Sequence, residues 1–177
     1  MEGKIKEVLF TAEQIKDKIQ EAAKVLAEEY RDKDPIIVCT LKGAFIFCAD
    51  LTRAMDIPCN VDFISASSYG NGTVSSGDVI IKKDLDTDIK GRHVLILEDI
   101  IDTGNTLFKL KEILLKRSPA SLKICTLLDK PSRRTADIDP DVCLFTIPDK
   151  FVIGYGLDVA EEYRQLPYIG VFEPTGK

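Results

Sequence analysis

The sequence predicts an α/β fold: a doubly wound, mostly parallel sheet flanked by helices. Two observations predict it. Short β-branched runs alternate with segments of helical periodicity along the chain, and one of those runs, His93–Leu97, is apolar enough to be a strand buried on both faces. The 177 residues fit a single domain. A chain of that length buries roughly 70% of its unfolded surface, so its core needs neither disulfide nor metal.

In chain order, Thr11-Ala12-Glu13-Gln14 predicts a capping box, in which the Thr hydroxyl and the Gln side chain each accept from the other's backbone N–H. Ile15, Ile19, Ala22, Leu26 and Tyr30 keep helical spacing, and Asp34-Pro35 stops the helix. Ile36–Thr40 is a strand, followed by Leu41-Lys42-Gly43 and a mostly apolar helix to about Met55. Val61–Ala66 and the weaker Val79–Lys82 are the next two strands. Between them, Ser67–Asp78 is rich in Ser, Gly and Asn and cannot bury enough apolar surface to be rigid. It reads equally as a slack surface loop or a mobile lid. After His93–Leu97 comes a helix with Leu107, Leu110 and Leu114 on one face, ending near Arg117-Ser118-Pro119. Leu122–Leu128 and Val142–Ile147 supply the last two strands of the sheet.

Composition narrows the function. A net charge of −5 excludes a broad nucleic-acid footprint while leaving room for a local basic pocket. No apolar run reaches the roughly 20 residues needed to span a bilayer, and the charged Met1–Phe10 has no signal-peptide core. The five cysteines stand at 39, 48, 59, 125 and 143 without a C-x-x-C pair, and His93 is the only histidine. Buried reduced thiols in the cytoplasm account for them better than a disulfide framework or a zinc site. His93, beside a buried strand and with no nucleophile near it in sequence, reads as structural.

The segment that carries chemistry is Val94-Leu95-Ile96-Leu97-Glu98-Asp99-Ile100-Ile101-Asp102-Thr103-Gly104-Asn105-Thr106. A buried strand runs into three carboxylates and then into Thr-Gly-Asn-Thr at the start of a helix. In open α/β sheets ligands sit beyond the carboxyl ends of the strands. The first helical turn there offers bare N–H groups and the positive end of the dipole. Gly104 allows close approach of an anion, and Thr103 and Thr106 add hydroxyl donors. Ribose hydroxyls and a Mg²⁺-bound diphosphate are natural targets for the acids. The plain alternative is a helix start decorated with acids for dipole reasons.

Leu97–Leu107, reading L-E-D-I-I-D-T-G-N-T-L, resembles the phosphoribosyl pyrophosphate (PRPP) motif of type I phosphoribosyltransferases, and more narrowly the hypoxanthine-guanine branch. The likeness extends over nearly the whole chain. It implies a single domain over 1–177, with a core at about 35–147 and a small hood made by the N-terminal segment and about 148–177. It also implies that Glu98 and Asp99 hold the ribose hydroxyls, that Asp102, Thr103, Gly104, Asn105 and Thr106 hold the 5′-phosphate, and that Asp102 is the general base near N7 of the purine. Asn105 stands where some members carry Lys.

By the same resemblance Lys42 and Gly43 meet the pyrophosphate, joined by Arg164, and Ser68 and Tyr69 belong to a closing lid. For Lys42 alone, an exposed turn residue is the plainer reading. Lys130 in Asp129-Lys130-Pro131 would contact the exocyclic O6 of a 6-oxopurine, a sensible choice because an ammonium only donates. Arg134 matches a nearby family arginine or is a surface charge. In Pro148–Asp158, Phe151 would stack on the base and Val152 would bind it through its backbone, with Asp158 beside them. Glu98, Asp99 and Asp158 would ligate Mg²⁺. The partners implied are PRPP, a purine and further copies of the chain as dimer or tetramer, with neither nucleic acid nor membrane. A PRPP- or nucleotide-sensing regulator of the same fold, and a xanthine-preferring transferase, are the competing readings; an aspartyl-phosphate protein is disfavoured because its acids would lie on earlier strands.

Overall fold

The computed structural model describes residues 3–68 and 79–175. The elements are β1 (Gly3–Phe10), α1 (Ala12–Tyr30), β2 (Ile36–Thr40), α2 (Phe45–Met55), β3 (Asn60–Ser68), β4 (Val79–Lys83), β5 (His93–Ile101), α3 (Asn105–Leu115), β6 (Ser121–Asp129), β7 (Val142–Thr146), β8 (Val152–Ile153) and β9 (Ile169–Pro174). A six-stranded sheet runs in the order β4-β3-β2-β5-β6-β7, parallel throughout except for β4, which pairs antiparallel with β3. A separate three-stranded antiparallel sheet, β1-β9-β8, joins the two ends of the described chain.

Local chemistry explains the helices. The capping box forms: Gln14 N donates to Thr11 Oγ1 at 3.2 Å and Thr11 N donates to Gln14 Oε1 at 2.9 Å. Ile15, Ile19, Ala22, Leu26 and Tyr30 all face inward. The helices cover both sheet faces. Packed with one side of the sheet are α1 and α2, through Leu26, Phe47, Leu51, Ile37 and Leu95. On the other side Leu107, Leu110 and Leu114 of α3 meet Val38, Ile96 and Ile124. Burial on both faces is why Ile36–Cys39 of β2 and Val94–Leu97 of β5 are apolar.

Two expectations need correction. The strand placed at His93–Leu97 continues to Ile101, because β6 keeps pairing with it as far as Ile101 opposite Asp129. The thiols are not all buried: Cys39, Cys48 and Cys125 are, Cys59 is half-buried, and Cys143 is exposed on the edge strand β7. His93 serves a structural contact, its Nδ1 lying 2.8 Å from Ser121 Oγ. No helix among the described residues is long and apolar enough to cross a membrane.

Asp62 ties β3 to the segment that follows β4. Its side chain is 4% exposed and accepts from the backbone N–H groups of Phe63 at 2.7 Å, Asp86 at 2.9 Å and Thr87 at 2.8 Å. Burial raises its pKa, but the backbone donors together outweigh that and hold it below the ordinary carboxylate value. Asp62→Ala strands three donors and is expected to cost about 2–3 kcal/mol, a fall in Tm of roughly 5–10 °C. Because the folded-state pKa is depressed, the charge contribution is complete above the unfolded value and is lost as pH falls through the folded one. Thermal melts from pH 7 to pH 3 should therefore show wild type converging on Asp62→Asn below about pH 4.

Candidate active site

The chain leaves β2 and β5 in opposite directions: α2 carries it to β3 on one side, and α3 carries it to β6 on the other. Adjacent strands whose connections diverge open a crevice at their carboxyl ends, the usual ligand position in such sheets. A cavity of about 190 Å³ lies there, lined by Thr40, Glu98, Asp102, Thr103, Gly104 and Thr106 among others.

Glu98 and Asp99 sit on β5 itself, not in a loop beyond it. Thr40 at the end of β2 donates to Leu97 O at 2.9 Å, tying the two strand ends together. Glu98 keeps some surface in solvent, but its carboxyl is packed round by protein. Burial first, and then the charge of Asp99, push its pKa well above the ordinary glutamate value. Asp99 lies over Gly43: a Cβ on that glycine would fall 1.6 Å from Asp99 Oδ2.

The turn after β5 presents the start of α3. Gly104 is its N-cap, with φ 81°, no side chain caps the helix, and no acid stands in its first turn. The leading N–H groups are thus left to a ligand, under the positive end of the dipole. Thr103 O accepts from Thr135 N at 3.0 Å and from Ala136 N at 3.1 Å, which anchors the turn. Asn105 Oδ1 accepts from Thr135 Oγ1 at 3.3 Å. Arg133 Nε donates to Asp102 Oδ1 at 3.1 Å. Arg134 is not a surface charge: its side chain is 12% exposed, pairs with Asp129, and donates to Asp102 O at 3.3 Å and to Ile138 O.

Lys130 follows β6, its N–H donating to Ile101 O at 2.9 Å, so it sits beside the Asp102 turn. It is 6% exposed, an unusual depth for an ammonium and one that calls for an acceptor. Phe151 is half-exposed, its ring braced edge-on by Phe172 at 6.0 Å, while Val152 is buried and pairs with Val171. An exposed face with a braced edge suits stacking.

On the far side of the crevice the Leu41-Lys42 peptide is cis, and Gly43 and Gly156 touch through their backbones. Lys42 Nζ pairs with Glu161 Oε2 at 2.8 Å, and Arg164 Nη2 pairs with Asp158 Oδ1 at 2.9 Å and with Glu161 Oε2 at 3.2 Å. The expected metal carboxylates do not assemble into a shell. Among the described residues no three His, Cys, Asp or Glu side chains gather to hold an ion. Asp158 is turned to Arg164 and to the N–H of Glu161 at 2.8 Å, and Glu98 lies deep against Asp99. These donors fit a hard cation that arrives on phosphate oxygens and needs only one or two carboxylates from the protein. Ser68 ends β3, opposite Val79; Tyr69 and the rest of the expected lid lie outside the described residues.

A profile described as the phosphoribosyl transferase domain matches residues 7–160. The chain is 53% identical to the hypoxanthine-guanine phosphoribosyltransferase of Bacillus subtilis over 175 residues, covering 99% of this chain and 97% of that one. It is 52% identical to the hypoxanthine phosphoribosyltransferase of Salmonella typhimurium, covering 93% of each. The chain belongs to the phosphoribosyl transferase family, in its hypoxanthine-guanine branch. A crystal structure of a hypoxanthine phosphoribosyltransferase from Staphylococcus aureus superposes on this transferase with a TM-score of 0.93 at 47% identity, over 96% of this chain and 92% of that one.

A larger hollow in the transferase, about 620 Å³, lies elsewhere, between α1, α2 and Leu166. Its walls mix apolar Ile15, Ile19, Ile46, Ala54 and Leu166 with Lys16, Asp50 and Arg53, but none of its lining belongs to the carboxyl ends of β2 or β5, where ligands of such sheets sit, so size alone does not mark the reaction site. Sequence reasoning did not single out Thr40, Arg133, Thr135 or Glu161. Of these only Glu161 left a signal, standing one helical turn's spacing before Arg164.

Proposed function

We propose that this enzyme serves purine salvage in the cytoplasm, transferring the 5-phosphoribosyl group of PRPP to hypoxanthine or guanine and releasing pyrophosphate. A purine nitrogen bonds to C1′, the C1′–O bond to pyrophosphate breaks with its electron pair, and the N7 proton passes to a base. The observation that carries this reading is the meeting, at one switch point, of acids on β5 with the uncapped, glycine-led start of α3.

In this reading Glu98 and Asp99 take the ribose hydroxyls, and the N–H groups and hydroxyls of Thr103–Thr106 take the 5′-phosphate. Asp102, oriented by Arg133, accepts the proton. Lys130 donates to O6, which favours a 6-oxopurine and disfavours the 6-amino group of adenine. Phe151 stacks on the base, and the backbone of Val152 binds its edge. Lys42, Gly43 and Arg164 receive the pyrophosphate. Mg²⁺ would be held by Asp158 or by the Glu98-Asp99 pair together with phosphate oxygens, and when bound it neutralises charge on the departing pyrophosphate. Transition-state charge at C1′ is of the oxocarbenium kind, as in other glycosyl transfers. The five free thiols support the cytoplasmic assignment, which cell fractionation tests. The reading also carries self-association; light scattering giving a single 19.7 kDa chain would exclude it.

A spectrophotometric assay with PRPP, Mg²⁺ and each purine in turn tests the proposal. Hypoxanthine or guanine should be consumed with stoichiometric pyrophosphate and adenine should not; RNA binding without base-dependent pyrophosphate release would favour the regulator instead.

A further inference from the structure

The cations of the pyrophosphate side already share an anion. One carboxylate oxygen, Glu161 Oε2, meets both Lys42 Nζ at 2.8 Å and Arg164 Nη2 at 3.2 Å, joining two loops that are 119 positions apart. The backbone that holds Glu161 is itself unusual. Val159 and Glu162 exchange N–H···O bonds of 3.2 and 3.1 Å around a two-residue turn. Both central residues, Ala160 at φ 52° and Glu161 at φ 68°, are left-handed. Two-residue turns with positive φ at both positions favour Asn and Gly, so Ala-Glu adopts this one against its own preference. Such outliers gather at functional sites. Asp158 locks the turn by accepting from Glu161 N at 2.8 Å. The hydrogen bond from Lys42, then that from Arg164, hold the Glu161 carboxyl below the ordinary glutamate value, so it is charged at neutral pH.

We propose that Glu161 is an internal counter-anion, seated where a pyrophosphate oxygen binds and displaced when the diphosphate arrives. The proposal rests on the assignment of Lys42 and Arg164 to pyrophosphate made above. A carboxylate oxygen between an ammonium and a guanidinium imitates a phosphate oxygen in charge and distance. The Lys42 and Glu161 side chains are about two-thirds exposed, at 66% and 65%, so their pair is weak and readily exchanged for a polyanion. Arg164, 18% exposed and fixed by Gly156 O at 2.7 Å and by Asp158, keeps its aim in both states. Glu161 therefore acts as a positioning residue. It holds the two cations converged when no diphosphate is bound, and it competes with pyrophosphate for them, which hastens product release.

Calorimetric titration of the full-length enzyme with inorganic pyrophosphate and Mg²⁺ tests this, using wild type, Glu161→Gln, Glu161→Asn and Lys42→Ala. The asparagine variant suits the turn and keeps the test valid where glutamine disturbs it. Both Glu161 variants should bind pyrophosphate about two- to five-fold tighter, the scale of one exposed ion pair, with KM for PRPP falling by the same factor. A residue that only ordered the loop would give the opposite sign, weaker binding. Unchanged or weaker binding in both Glu161 variants, with Lys42→Ala still weakening it, overturns the counter-anion role and leaves the seat intact. Unchanged binding in Lys42→Ala removes the seat itself, and with it the pyrophosphate assignment.

Discussion

Asp102→Asn is expected to lower kcat by about 10²–10⁴-fold, the usual worth of a positioned proton acceptor, while PRPP affinity stays within a few-fold. Asparagine preserves the shape of the side chain and can still accept from Arg133 Nε, which lies 3.1 Å from Asp102 Oδ1, but it cannot take a proton. The main-chain contact of Asp102 O with Arg134 does not depend on the side chain, so the start of α3 should not move. Single-turnover rates alongside direct PRPP binding separate the two effects. An unchanged rate would take Asp102 out of proton transfer.

Gly156→Ala is the second large effect, and it acts at a distance from the base. Gly156 has φ 100° and a Cβ there would lie 2.0 Å from the carbonyl oxygen of Gly43. Because the obstacle is backbone, no side-chain rotation relieves it, and the loop carrying Lys42 must shift. Displacement of about 1 Å in a binding group costs on the order of 10²-fold, so kcat/KM for PRPP should fall by about that factor. Gly91→Ala is the control: its φ of 69° carries the same kind of backbone penalty, but nothing lies within 4 Å of its added Cβ. Both variants should lose about 1–2 kcal/mol from left-handed alanine, and Gly156→Ala more. Only Gly156→Ala should lose activity. Equal activities would deny that the Gly43–Gly156 contact sets the loop carrying Lys42.

Much of this architecture was legible because its signals are local. The capping box at Thr11, the leucines of α3 and the apolar run before Glu98 each announce themselves within a few residues, and all six strands of the central sheet left such a signal. The small sheet left none of its own: the charges of β1, Lys4, Lys6 and Glu7, break the apolar–polar alternation of a strand, and its partner β9 lies far along the chain, with Gly3 opposite Pro174. Strand β5 overran its apolar segment because its partner β6 continues beside it, and pairing can carry acids that propensity alone would place in a loop. At the site, the turn into α3 was legible from residue types, since few residues other than glycine adopt φ 81° before a helix. Lys130 is different, because its depth comes from neighbours brought in by β5 and β6. Glu161 was missed for a physical reason: the turn that presents it holds Ala-Glu, where the recognisable signature is Asn-Gly.

One junction, β5 into α3, is expected to receive both the sugar and its phosphate. Crystals grown with inosine monophosphate test it directly. The phosphate should lie within hydrogen-bond distance of the N–H groups of residues 103–106, with the ribose hydroxyls against Glu98 and Asp99 and the base between Asp102, Lys130 and Phe151. Nucleotide density elsewhere, for instance in the larger hollow between α1 and α2, with residues 98–106 left in solvent, would contradict it.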